Sequence, residues 1–185
     1  MDEPLSASLL RLMPPEDDLF FGKDFMPAEA LDSLSSDLID RHEELRFLRD
    51  HDLQVLWKRS GGRKGGRGVL GKCTAPTGLT RFYSGRDWVL WLAADHVRTL
   101  HFNAHQTEAL LYHEMLHCSL GDDLDNPKPT TVSHDVEAFN KEIERYGLWV
   151  SDLVEVGAVI GLQLKLGLDG GSPDQHPNPD PDPHG

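Results

Sequence analysis

Residues 112–118 read Tyr-His-Glu-Met-Leu-His-Cys, and within them His113-Glu114-x-x-His117 constrains the fold more than any other stretch. Both imidazoles reach one metal ion only if the segment is an α-helix, because residues four apart then share a face. Glu114, one position on from His113, then sits beside the water that such a metal activates rather than on the metal. This is a zinc-peptidase pattern, with two ligands and a general base. The flanking residues supply the helix. Asn103 and Gln106 form a capping box at its start. Ala109, Leu110, Leu111, Met115, Leu116 and Leu120 recur at three- and four-residue spacings, and Gly121 predicts its stop. The plain alternative is a surface helix that happens to carry two histidines.

The rest of the chain must supply a third ligand, a cleft wall and a substrate. At 185 residues it has room for one domain with tails. A net charge of -13 argues against a general nucleic-acid or anionic-membrane binder. The two cysteines, Cys73 and Cys118, are too few for a disulfide framework and suit reduced thiols in a cytoplasmic protein. Cys118 points about 100° away from His117 round a helix, so it is not assigned as a ligand. Asp2 and Glu3 stand where a signal peptide would be basic, and no run is apolar enough to span a bilayer.

In chain order, residues 1–27 read as a flexible arm whose Leu19, Phe20, Phe21 and Phe25 could dock on the domain or a partner. Residues 28–167 form the domain, and the acidic, Pro/Gly-rich residues 168–185 form a disordered tail, with His176 and His184 as weak metal binders. Residues 28–49 carry a leucine stripe and predict a helix, with His42 on its surface or in its packing. Strands are predicted at 53–58, 69–73, 79–83 and 87–93. In the last, Trp88, Leu90 and Leu92 alternate with Val89, Trp91 and Ala93, so both faces are buried or one lines a cleft. Asp95 to Leu100 predicts a helical turn. Between the first two strands, residues 58–72 are basic and glycine-rich with no acid. No phosphate-loop order is present, so a flexible connection is the plain reading, and contact with nucleic acid or an acidic partner is the alternative. Residues 122–129 read as a solvated acidic loop, residues 133–146 as a second helix, and residues 148–167 as a packing helix or a helix and a strand.

That second helix presents His134 at its start, with Glu137 three residues on along the same face. One of the two completes the site. His134 is favoured, which leaves Glu137, with Asp135, beside the metal or the substrate. Tyr146 and Tyr112 are the candidate oxyanion donors, against packing roles for both.

Taken together, Gly66-Arg-Gly-Val-Leu-Gly-Lys72, Trp88 to Leu92 with Ala94-Asp95, Leu111 to Cys118, His134-Asp-Val-Glu-Ala-Phe139 and Arg145 to Trp149 resemble the phage metallopeptidase family, small zincin-like proteins of bacteriophages and prophages. The likeness covers roughly residues 50–150. It implies a zinc site on His113 and His117, Glu114 as the catalytic residue and His134 as third ligand. A metzincin is disfavoured, because that family's third histidine would fall at Asp123 and its glycine at Leu120. The expected fold is α+β, a minimal zincin-like metalloprotease domain with a small, mainly antiparallel sheet packed on the metal-binding helix. The expected function is zinc-dependent hydrolysis of peptide or protein substrates, in a bacterial host's cytoplasm if phage-encoded. The competing readings are a non-catalytic module with structural zinc, closed by Cys118 or Glu137 and binding nucleic acid or an acidic partner through 58–72, and a degenerate protease fold kept for interaction.

Overall fold

The computed structural model describes residues 12–64, 66–133, 145–147 and 149. The readings of residues 134–144 and of 150–185, including His134, Asp135, Glu137 and the tail, lie outside the described residues. The described part is α+β: four helices, a mixed four-stranded sheet and two short hairpins.

The sheet is ordered β1-β2-β6-β5, from Phe25–Pro27, Leu53–Lys58, Trp88–Ala93 and Gly71–Thr74. β1 and β5 run antiparallel to their neighbours, while β2 and β6 are parallel, in register from Leu53 opposite Trp88 to Lys58 opposite Ala93. Parallel neighbours need a long crossover. Here it holds the hairpin β3–β4 (Arg63–Lys64 and Arg67–Gly68), β5 and helix α2 (Gly78–Ser84). Trp88, Leu90 and Leu92 are fully buried, and Val89 and Trp91 on the opposite face are half-buried. A Lys58 ammonium lies 4.4 Å over the Trp91 ring, so that face is partly covered by a cation rather than left to water.

Helix α1 (Glu29–Arg41) packs on β2, and helix α4 (Ala104–Leu116) packs on β5 and β6 and against α1. Leu110, Leu111 and Met115 bury themselves there, each stabilising the fold by about 1.5–3 kcal/mol. Short α3 (Ala94–Thr99) links β6 to α4. The capping box is present: Asn103 accepts from the Gln106 backbone, and the Gln106 side chain accepts from the Asn103 N–H. Among the described residues no helix is long and apolar enough to cross a membrane.

The structure corrects several element assignments. The helix expected over 28–49 breaks at His42 and continues as a 3-10 segment, Glu43–Asp50. Residues 79–83, expected as a strand, lie in α2, which stops at Gly85 in the left-handed conformation (φ 63°); among the described residues no strand pairs with that segment to hold it extended. Of the expected arm, Phe25–Pro27 join the sheet and Phe20 is 1% exposed, so that aromatic docks on the domain. The metal-motif helix ends at Leu116 rather than near Gly121, because Cys118–Leu120 (β7) pairs with Pro129–Thr131 (β8).

A polar cluster fastens the outer side of α4. Tyr112 donates to Glu44, and Arg145 donates to Glu44 at 2.9 Å and to the Tyr112 hydroxyl at 3.0 Å. Burial alone would raise the Glu44 carboxyl, but the bonds from Tyr112, its own backbone and Arg145 take it from an ordinary 4.5 to about 2. A depressed carboxyl stabilises the fold fully above its ordinary value and loses that contribution as pH falls through the folded value. We expect Glu44→Gln to cost about 1–3 kcal/mol at neutral pH, since Arg145 loses its charged partner. Thermal melts between about pH 5 and pH 2 should then fall less steeply in the variant than in the parent. Equal slopes would mean that other carboxylates govern acid unfolding.

Candidate metal centre

Helix α4 delivers His113 near its end, Glu114 beside it and His117 as its C-cap residue, still helical at φ -72° and ψ -20°. The two imidazoles therefore lie side by side, edge to face, with ring centroids 5.1 Å apart and planes at 82°. Both are half-buried, whereas Glu114 is 4% exposed.

His117 is clamped by the strand pair beyond the helix. Its Nδ1 lies 2.6 Å from the Val132 carbonyl, and the Val132 N–H donates to the His117 carbonyl at 3.0 Å. A carbonyl only accepts, so Nδ1 carries the proton and Nε2 is the nitrogen left with a lone pair. That arrangement fixes the tautomer and ring plane of His117, as a metal ligand would require. Val132 is held in turn by the β7–β8 hairpin, and the buried Trp88 indole donates to Thr130 in β8 at 2.7 Å. The site is thus referenced to the central strand of the sheet.

Glu114 rests against β5. A Cβ built on Gly71 would lie 2.5 Å from Glu114 Oε1 and 2.8 Å from its Cδ, so only glycine leaves the carboxylate its place. Cys73, two residues on, shares that face of the strand: its sulfur lies 3.5 Å from Cys118 Sγ, and both are buried free cysteines. Burial first, then Cys73 and the nearby Glu114 charge, push the Cys118 thiol upward, away from the thiolate a metal would need.

The imidazole pair, one ring already oriented, suits a borderline-soft divalent cation such as zinc. Among the described residues no group of three or more His, Cys, Asp or Glu is arranged to hold a metal. The candidate third donors, His134 and Glu137, and Asp135 beside them lie outside those residues. Tyr112 is fully buried and bonded to Glu44. Tyr146 donates to Glu108 at 3.1 Å, half a turn round α4 from His117. The structure brings His113, Glu114 and His117 together and places neither tyrosine hydroxyl with them. Gly71 was missed by motif reading; its signal was a glycine inside a strand, which marks close approach of another group.

No curated protein and no solved structure is significantly similar to the chain. The model of the family described as "Putative phage metallopeptidase" matches residues 23–159, most of the chain, and the protein belongs to that family.

Proposed function

We propose that this protein is a zinc-dependent metallopeptidase of zincin-like architecture, with His113, His117 and His134 as metal donors and Glu114 as general base. The supporting observation is the arrangement on α4: two adjacent imidazoles, one with its Nδ1 committed to Val132, beside a buried carboxylate. Membership of a metallopeptidase family supports a metal ion and a peptide substrate. His134 follows Val132 by two residues in sequence. Val132 is itself bonded to His117, and that proximity in sequence favours His134 as the third donor. Glu137 is the alternative donor, and Asp135 a supporting one.

Zinc bound there would supply a Lewis acid that polarises the scissile carbonyl and makes water a competent nucleophile at neutral pH. Glu114 accepts the proton of the attacking water and passes it to the departing amine. Its burial excludes bulk water and holds the carboxylate in one place. Edge strand β5, with Gly71 against Glu114, is the rail on which an extended peptide would pair by backbone hydrogen bonds. Tyr146 and Tyr112 take packing roles in this reading, because Glu108 and Glu44 already hold their hydroxyls.

Elemental analysis should find about one zinc per full-length chain, lost in His117→Ala. Hydrolysis of a mixed-sequence peptide library, read by mass spectrometry, should fall by about 10²–10⁴ in Glu114→Gln with zinc retained. Near-parental turnover in that variant removes Glu114 from the mechanism. Zinc held without cleavage of any library peptide favours the non-catalytic module instead. Gly71→Ala should keep the fold and the zinc, because the colliding atoms are the tip of a flexible side chain. It should still cost up to about 100-fold in turnover, because the base is displaced; full activity would mean that β5 does not set the carboxylate's position.

A further inference from the structure

The basic, glycine-rich stretch after β2 is a built element rather than a slack connection. It folds as the hairpin β3–β4, with Arg63 opposite Gly68 and Lys64 opposite Arg67. Its neck is braced from α3. Asp95 accepts from Ser60 Oγ at 2.7 Å and from the Gly61 N–H at 3.0 Å, and His96 Nε2 lies 2.9 Å from the Gly62 carbonyl. The Val69 N–H closes the neck on Gly62 at 3.1 Å. The glycines serve this closure: a Cβ on Gly61 would come within 2.1 Å of the Val69 carbonyl oxygen, and one on Gly68 within 2.8 Å of the His96 ring. Gly62 and Gly66 have φ of 72° and 84°, which other residues rarely adopt.

The braced hairpin displays Arg63 and Lys64, both exposed. From Lys58 to Lys72 there are six basic residues and no acidic one, in a chain of net charge -13. Holding cations at a fixed place against the overall field is a device for a local anionic partner. Its location narrows the choice. Gly68 is three residues from Gly71, about 10 Å along an extended chain, and Gly71 lies against Glu114. Lys72, on edge strand β5 itself, is exposed on the face away from Cys73.

We propose that the β3–β4 hairpin is a specificity element for acidic substrates: it binds Asp or Glu side chains of an extended peptide lying along β5, about three residues from the cleaved bond. This rests on the metallopeptidase reading. A peptide suits the site better than nucleic acid, because a long polyanion would also run over the acidic remainder of the surface.

The test is binding, read by fluorescence anisotropy on the zinc-loaded full chain carrying Glu114→Gln, so that nothing is cleaved. The probes are two fluorescein-labelled dodecapeptides of Ala and Ser, one with three Glu and the other with Gln at the same positions. The Glu peptide should bind about tenfold tighter at low salt, as two or three exposed ion pairs allow, and the difference should shrink as salt rises. Arg63→Ser with Lys64→Ser should bring the two to parity, with unchanged melting temperature and zinc content. Reversing the same two positions to Glu should favour a Lys peptide. Equal binding of both peptides by the parent, or a preference that survives the double Ser variant, overturns the proposal. So does a short DNA duplex or single strand that binds the parent tighter than the Glu peptide and displaces it. Turnover by the protein with Glu114 restored separates the two readings. Selective binding without cleavage fails the peptidase reading and leaves the docking surface standing. Cleavage with equal binding fails the specificity proposal alone.

Discussion

The hydrogen bond between His117 Nδ1 and the Val132 carbonyl is the contact through which the rest of the architecture bears on the site. An unrestrained imidazole has two tautomers and a freely turning ring; this one has one of each. The contact exists because α4 gives way to a strand immediately after the motif, so that β8 returns alongside and carries Val132 to the helix end. The return is secured by Trp88, a buried residue of the parallel strand pair at the centre of the sheet. Outer partners of this kind are typically worth about 10–100-fold in metal affinity, a large effect for one bond at a helix terminus.

Glu114 is constrained from the other side. Strand β5 offers it a glycine where any other residue would fill its space. The side of α4 that carries His117 and Glu114 is therefore shaped by backbone: a carbonyl for His117 and a bare strand for Glu114. Its far side is fastened by charged and hydroxyl groups, with Glu44, Tyr112 and Arg145 in one cluster and Glu108, Arg41 and Tyr146 in another. Orientation on one side and anchorage on the other leave the helix little freedom to roll.

What the sequence disclosed was local. The capping box, the apolar spacing of α4 and the strands near 53–58 and 87–93 arise from residues close together in the chain, and the structure has them. The α+β class and the mainly antiparallel pairing were also legible. Less legible was whatever depended on a distant partner. Residues 79–83 have the composition of a strand, but among the described residues no strand pairs with them and they coil into α2. Gly61 and Gly68 read as slackness, because His96, which fills the space they leave, is far along the chain. Gly71 carried no chemistry of its own, so its service to Glu114 emerges only when β5 lies across α4. The helix boundary moved for the same reason: Gly121 could end a helix, but pairing with β8 ends it sooner.

The Gly121 N–H donates to the Lys128 carbonyl at 2.8 Å, which shuts the acidic excursion between β7 and β8 at its base. The segment beyond that latch is exposed and hangs from a closed ring of backbone. Loop-closure entropy grows only slowly with length, so additional residues there would burden the hairpin little. The excursion is in this sense insulated: sequence can be exchanged, lengthened or fused at residues 122–126 while the register that seats Val132 on His117 stays as it is.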